Sequence, residues 1–296
     1  MRCTVTRPTD RRPRRGGTGR FYRVPCEPPP QPVLAAFGAD GLPLVPLKGG
    51  QGTSWLAGDL VLKPADLDLP ELEWQAQVYS QISCDGFRIA RLRPADDGSV
   101  CVDGWCATEH VTGQHAERRW PEVIAVGERF HAALRGIPRP GFLDQRASPW
   151  AIGDRVAWGE IPAADFAKVS HLPRLVATLR PVTAPSQLIH GDLGGNVLFH
   201  DQLPPAIIDF SAYWRPVGFA SAIVVADALV WQDANARLLA SVSHIDDFGQ
   251  YLIRALIYRA VTDCLLGQDD PVTTGGDDDR WAPAVDLACH LAATHS

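Results

Sequence analysis

No run in the 296-residue chain approaches the roughly 20 consecutive apolar residues that a bilayer span requires. The longest candidate, Ala222 to Trp231, is short and carries Asp227 in its middle, which argues against a membrane partner. The basic amino terminus lacks the apolar core of a secretory signal. Cysteine occurs seven times, an odd number, and never as a CxxC pair, so neither a disulfide framework nor a thiolate zinc site is expected. A reduced, cytoplasmic compartment is expected instead. Lysine is scarcer still: Lys48, Lys63 and Lys168 stand beside twenty-five arginines. Internal repeats are absent, as is a second His/Asp cluster of metal-ligand spacing, which weighs against a metallohydrolase.

What is present begins with a lopsided charge. Residues 1–23 hold eight arginines and one aspartate, a net of +7 against −6 for the whole chain, so residues 24–296 carry −13. The arginine-rich segment has almost nothing to bury and reads as a disordered tail, or as an over-extended gene start. An acidic body argues against nucleic acid as the main partner and is compatible with a cationic small molecule. With 46% hydrophobic residues the chain can bury one large or two moderate cores.

Four prolines between Cys26 and Pro32 read as an extended linker, so residues 1–32 are expected to be tail and linker, with a first lobe from Val33. Leu44 to Lys48 and Thr53 to Ala57 read as strands flanking Gly49-Gly50-Gln51-Gly52. Gly58-Asp59 is a two-residue turn into Leu60 to Lys63. A helix is predicted from Pro70 to Ile82, and an antiparallel pair from Arg88–Arg93 and Val100–Cys106, turned at Asp96-Asp97-Gly98. Beyond Gly113 helical spacing dominates: Trp120 to Leu134, Ala163 to Leu179, Ala220 to Leu239 and Asp246 to Leu266.

Between these helices lies the most informative stretch, His190-Gly191-Asp192-Leu193-Gly194-Gly195-Asn196-Val197-Leu198-Phe199, followed by Ile207-Ile208-Asp209-Phe210. It reads as strand end, polar loop, strand, turn and strand. Such a hairpin brings Asp192, Asn196 and Asp209 to one end, where two carboxylates and an amide oxygen can hold Mg²⁺ and orient a hydroxyl.

These residues resemble the catalytic and metal loops of the aminoglycoside phosphotransferase and choline kinase family, small-molecule kinases with a protein-kinase-like fold. The resemblance implies that Asp192 is the catalytic base, that Asn196 and Asp209 bind Mg²⁺, and that His190 is mainly structural. The chain departs from the family pattern in one respect: three residues rather than four separate Asp192 from Asn196. Two adjacent glycines reach backbone conformations closed to other residues, which would let the shorter loop still aim Asn196 at a metal.

The resemblance also implies an α+β bilobal fold, with a small β-rich lobe over residues 33–111 and a larger, mainly helical lobe over 112–296. Gly49, Gly50 and Gly52 sit where a glycine-rich loop would cover ATP phosphates. No GK[ST] follows them, so this is not a Walker A loop. Lys63 ends the next strand, and its compact ammonium suits the α- and β-phosphates. A helical carboxylate should position it. Glu71 and Glu73 compete, and Glu73 is the choice because Leu72 and Trp74 beside it suggest a helix packed on the sheet. Glu109, His110 and Val111 leave the lobe where an adenine-binding hinge would lie, their role being one for backbone atoms. An interdomain connector is the plain alternative.

Eighty-one positions separate Glu109 from His190, and no Ala-Pro-Glu follows Asp209, which disfavours a protein kinase. Asp227 resembles the aspartate that braces the family's catalytic loop, with a substrate contact as its alternative. The acceptor is unnamed by the sequence. Asp246-Asp247, Asp263, Asp269-Asp270 and Asp277-Asp278-Asp279 are candidates for attracting an amine. Tyr213, Trp214 and Trp231 can stack on a sugar, cage a cation or simply fill core. Two functions stand: an ATP- and Mg²⁺-dependent kinase of a small hydroxyl compound, and a pseudokinase-like module that binds nucleotide or metabolite without transfer.

Overall fold

A computed structural model describes residues 27–47, 52–267 and 280–294. The expected tail at residues 1–26, Gly49, Gly50 and the acidic runs at 269–270 and 277–279 lie outside the described residues.

The amino-terminal lobe is built on a hairpin. Strands β1 (Leu44–Pro46) and β2 (Trp55–Ala57) pair antiparallel, and the Leu47 N–H donates to the Ser54 carbonyl, so the segment that bears the glycines joins these two strands. At Gly58 the backbone takes φ +61°, which only glycine adopts without cost, and the chain reverses at once into β3 (Leu60–Pro64). The fourth strand of this antiparallel sheet, β5 (Trp105–Glu109), pairs with β3 and sets Lys63 opposite Cys106. Val33, Leu34, Phe37, Leu60, Leu62 and Ala107 form its small core. The first helix, α1, spans Gln31–Ala36 with Pro32 in its first turn, so the chain folds two residues before the first lobe is expected to begin.

Helix α2 (Leu69–Gln81) opens with Pro70 and buries Glu71, Leu72, Gln75, Val78 and Tyr79, a single stripe at helical spacing. Arg88–Arg93 and Val100–Cys106 form the expected antiparallel pair only in part: the chain turns between Ala95 and Ser99, but the pairing is shifted to Leu92 opposite Thr108, with the Arg93 N–H donating to the Ala107 carbonyl. Arg88–Ile89 (β4) instead pairs parallel with β8 (Ala206–Ile207) of the other lobe, which in turn pairs with β7 (Val197–Leu198). A further reversal happens within the second segment, at Asp103 (φ 47°) and Gly104 (φ 77°), between the paired Val102 and Trp105. The left-handed Asp-Gly pair is the type I′ signal.

The larger lobe holds α3 (Trp120–Ala133), α4 (Pro149–Ala157), α5 (Leu172–Ala177), α6 (Val217–Trp231), α7 (Phe248–Gly267) and α8 (Ala282–Thr294). A long helix over Ala163–Leu179 is not formed. A 3₁₀ turn at Ala163–Phe166 and α5 are separated by His171 in the left-handed region, with Pro173 at the new helix start. Beyond Trp231 the expected helix breaks similarly, giving a 3₁₀ stretch at Ala236–Val242. Strand β6 (Gln187–His190) pairs with β9 (Ala212–Arg215), so the loop after His190 and the segment around Asp209 issue from neighbouring ladders. One hydrophobic core runs from Val78 of α2 through Phe130, Leu188, Ile207 and Phe210 to α6, α7 and α8. Helix α6 is buried on nearly every face, which fits its apolar sequence. Among the described residues, no helix is long and apolar enough to cross a membrane.

Candidate active site

Strand β6 delivers His190 to the interior, fully buried. Its backbone N–H donates to Nε2 of His131 on α3 (3.0 Å), and its Nδ1 accepts from the Asp192 N–H (3.1 Å). Nε2 therefore carries the proton and donates to the Ile208 carbonyl (3.2 Å). Burial pushes both imidazoles down, His131 to about 3, so both rings are neutral. His190 thus ties the loop that begins at Asp192 to the residue before Asp209, the supporting place expected of it.

The chain then passes Gly191, where any Cβ would collide with the Tyr213 ring, and enters a 3₁₀ turn over Leu193–Gly195. Neither Gly194 nor Gly195 takes a positive φ, so the shortened loop does not use the conformational freedom expected of its glycines. The turn closes by other means. Nδ2 of Asn196 donates to the Asp192 carbonyl at 2.7 Å and lies 3.4 Å from Asp192 Oδ2. Leu193 anchors the turn, buried against Gly127 of α3, where a Cβ would lie only 2.5 Å from Leu193 Cδ1.

Asn196 is coupled to the next segment by its carbonyl, which accepts from the Ile208 N–H at 3.0 Å. Asp209 follows in the left-handed region (φ 49°), a conformation that aspartate tolerates better than most residues. Phe210 is locked behind it, with ring centroids 5.2 Å from Phe130 and 5.6 Å from His190, and its carbonyl accepts from Gln75 Nε2 (3.0 Å). The Asp209 carboxylate reaches Lys63, with Oδ1 2.7 Å from Nζ, while Asp66 stands 3.5 Å from the same ammonium. Burial opposes the Lys63 charge, but the two carboxylates outweigh it and its pKa is raised.

Glu73 does not meet Lys63. Successive helical residues turn by about 100°, which puts Glu73 on the side of α2 opposite the buried stripe, and it is exposed. Glu71 is the buried acid, and its carboxylate is held by Arg146 rather than by Lys63. Arg146 also donates to the Ala212 carbonyl (2.5 Å), linking α2 to β9. Of the glycine-rich segment only Gly52 is described, with φ +72° just before β2.

At the expected hinge, the Glu109 N–H donates to Arg91 O and the His110 N–H to Asp59 O, both at 2.8 Å. Among the described residues, no hydrogen bond to the Glu109 carbonyl or from the Val111 N–H is present.

Asp227 lies beneath the diglycine turn, 3.4 Å from where a Gly194 Cβ would be. Its two oxygens accept from Nε (2.7 Å) and Nη2 (2.6 Å) of Arg259, and that Nη2 also reaches Asp192 Oδ1 at 2.8 Å. Bracing therefore runs from Asp227 through an arginine of α7. Burial acts against the Arg259 charge, yet the Asp227 carboxylate raises its pKa well above the ordinary value. Arg259, His131 and Arg146 carry no motif that marks them in the sequence. For Arg259 a signal does exist, a charge inside an apolar run like that of Asp227. Tyr213 packs half-buried against the core, its hydroxyl 3.2 Å from that of Tyr258, and Trp231 packs edge-on against Trp281 at 5.2 Å. Asp246, Asp247 and Asp263 are exposed.

The donor set suits a hard divalent cation. With Nδ2 held by the loop, Asn196 offers Oδ1, and Asp209 offers a half-exposed carboxylate. Among the described residues no group of three or more His, Cys, Asp or Glu could hold a metal. Two protein oxygens fit Mg²⁺, which takes its remaining ligands from water and phosphate.

The family model described as phosphotransferase enzyme family matches residues 45–217, from β1 to the start of α6. No curated protein matches the chain. Among solved structures the chain is similar to an aminoglycoside phosphotransferase from Alicyclobacillus acidocaldarius (15% identity, TM-score 0.53, 82% of this chain and 88% of that one). It is also similar to a thermostable mutant of aminoglycoside phosphotransferase APH(4)-Ia in ternary complex with ADP and hygromycin B (15%, 0.52, 89% and 97%). A third is a choline/ethanolamine kinase family protein from Mesorhizobium loti (18%, 0.51, 89% and 90%). At these identities the likeness speaks for the fold alone, which is protein-kinase-like and bilobal. The family match covers more than half of the sequence, and the chain belongs to the phosphotransferase enzyme family.

Proposed function

We propose that the chain is an ATP- and Mg²⁺-dependent phosphotransferase whose acceptor is a hydroxyl of a small molecule. The observation that carries this reading is the meeting of three segments at one place: the Asp192–Asn196 turn, the Ile208–Asp209 segment bonded to it, and Lys63 on Asp209. That the structural neighbours include one holding ADP and hygromycin B supports a nucleotide donor and a small acceptor.

In this reading Asp192 takes the proton of the acceptor hydroxyl, and Lys63 moves between Asp209 and the α- and β-phosphates. Asn196 Oδ1 and the Asp209 carboxylate would hold Mg²⁺, which when bound neutralises charge on the phosphates. The Glu109 carbonyl and Val111 N–H take the adenine edge. Gly49, Gly50 and Gly52 cover the phosphates, and neutral His190 keeps the loop in place without exchanging protons with substrate. Positioning and electrostatics supply the acceleration. Asp246, Asp247 and Asp263 leave a cationic acceptor open to the protein, and a cytoplasmic location suits the free thiols of Cys84, Cys101, Cys106 and Cys289.

The test is thermal stabilisation by ATP with and without Mg²⁺, then ATP turnover against a panel of amino alcohols, aminoglycosides and sugars. Greater stabilisation with Mg²⁺ and transfer to a panel member are expected. Mg²⁺-independent binding without turnover would identify a nucleotide-binding module instead.

A further inference from the structure

Arg259 is the residue in the site whose position nothing in the motif explains. It sits in the middle of α7, nearly buried, in a stretch where every neighbour from Phe248 to Val261 is also buried. All three nitrogens are engaged. Nε and Nη2 form a fork on the Asp227 carboxylate, Nη2 also donates to Asp192 Oδ1, and Nη1 lies 3.5 Å from the Tyr258 hydroxyl. The guanidinium carbon stands 4.9 Å from the Tyr258 ring centroid. That hydroxyl meets Tyr213, whose ring lies directly under Gly191. Both sides of the Asp192 loop therefore rest on α7, one through Arg259 and the other through the two tyrosines.

The two acids differ in exposure. The Asp227 side chain is 13% exposed and Asp192 is 47% exposed. Asp227 is thus the buried clamp that fixes the guanidinium, whereas Asp192 is the group held at its outer edge. A planar guanidinium gripped by a fork has little freedom to swing, so the contact to Asp192 Oδ1 also has a defined direction.

We propose that Arg259 is the positioning residue for Asp192, setting the direction in which its carboxylate faces the acceptor hydroxyl, with Asn196 Nδ2 3.4 Å from the other oxygen. This rests on the reading of Asp192 as the base. A purely structural Arg259 would neutralise Asp227 and have no bearing on turnover. The two roles separate because orientation is felt in kcat, while the nucleotide is held by other residues.

Arg259→Lys keeps the charge beside Asp227 but loses the fork, since an ammonium cannot bridge both acids in that geometry. Lysine truncation of a buried network can unfold a protein, so a second variant, Arg259→Met with Asp227→Asn, removes the charges together. Both are compared with wild type and Asp192→Asn by intrinsic Mg²⁺-ATP hydrolysis, water serving as the acceptor, and by transfer to the acceptor panel. Folded Arg259 variants should lose about 100-fold in kcat with KM for ATP unchanged, the scale expected when a reacting group is misplaced by about 1 Å. Wild-type kcat in a folded Arg259 variant, with Asp192→Asn inactive, overturns the inference and leaves the base in place. Undiminished turnover in Asp192→Asn, or none in wild type, overturns the underlying reading instead. A rise in KM for ATP that matches any fall in kcat/KM also contradicts positioning of the base.

Discussion

Nζ of Lys63 lies 2.7 Å from Oδ1 of Asp209, although 146 positions separate them. The bond joins β3 of the small lobe to the segment after β8 in the large one, and it places the cation expected to meet phosphate against an acid expected to meet metal. Where charges of opposite sign are brought together by distant segments, each is restrained by the other until a ligand with both phosphate and cation replaces them.

Lys63→Ala should raise the Kd for ATP about tenfold or more, because a charge-assisted bond to phosphate is lost. Isothermal titration checks it. An unchanged Kd would remove Lys63 from the nucleotide site.

Asp209→Asn should abolish the dependence of ATP affinity on Mg²⁺ while leaving Mg²⁺-free binding near its wild-type level. The same titration, run in EDTA and in Mg²⁺, reads it. A surviving Mg²⁺ effect would put the metal on other ligands.

The two acids of α2 should behave oppositely. Glu71→Ala leaves the nearly buried Arg146 without its carboxylate partner and should cost about 3–5 kcal/mol, whereas Glu73→Ala should stay within about 0.5 kcal/mol. Chemical denaturation measures both. Equal effects would contradict the orientation of the helix.

Glycines of the Asp192 loop should separate in the same way. Gly195→Ala meets nothing within 4 Å and has no positive φ, so its stability should match or exceed wild type by up to about 1 kcal/mol. Gly127→Ala pushes on Leu193 Cδ1 and should cost about 1–3 kcal/mol, with a drop in turnover as the loop shifts. A severe loss at Gly195 would restore a need for backbone freedom there.

Stability should fall on the acid side because of His131. Its folded pKa of about 3 lies below the ordinary 6.5, so the unfolded chain binds a proton that the fold refuses. The contribution is complete above about pH 6.5 and is lost as pH falls toward 3, with a slope of about 1.4 kcal/mol per pH unit for one proton. His131→Gln retains an acceptor for the His190 N–H and should flatten that part of the profile. An identical slope in the variant would contradict a neutral, buried His131.

Much of this arrangement was legible in the sequence because local signals agreed. Pro70 and the apolar spacing after it set α2 within a residue of its observed ends, and the 190–210 string located the loop, the hairpin and the acids. What was hidden depends on contacts between distant segments. Leu72 and Trp74 announce a packed helix but not which of two flanking glutamates faces inward, and only the full stripe through Gln75 and Tyr79 decides for Glu71. Arg88 and Ile89 find a parallel partner in the other lobe, which no local turn residue encodes. Arg259 acquires meaning only beside Asp227 and Asp192. The diglycine suggests conformational freedom, whereas the turn is closed by the Asn196 amide, with Asp227 close beneath Gly194.

In the proposed reaction Asn196 and Asp209 share one divalent ion with the bound nucleotide. Anomalous diffraction from crystals grown with Mn²⁺ and a non-hydrolysable ATP analogue tests it directly. A peak is expected within coordination distance of Asn196 Oδ1 and the Asp209 carboxylate, with Lys63 turned onto phosphate. A peak that touches neither side chain would contradict it.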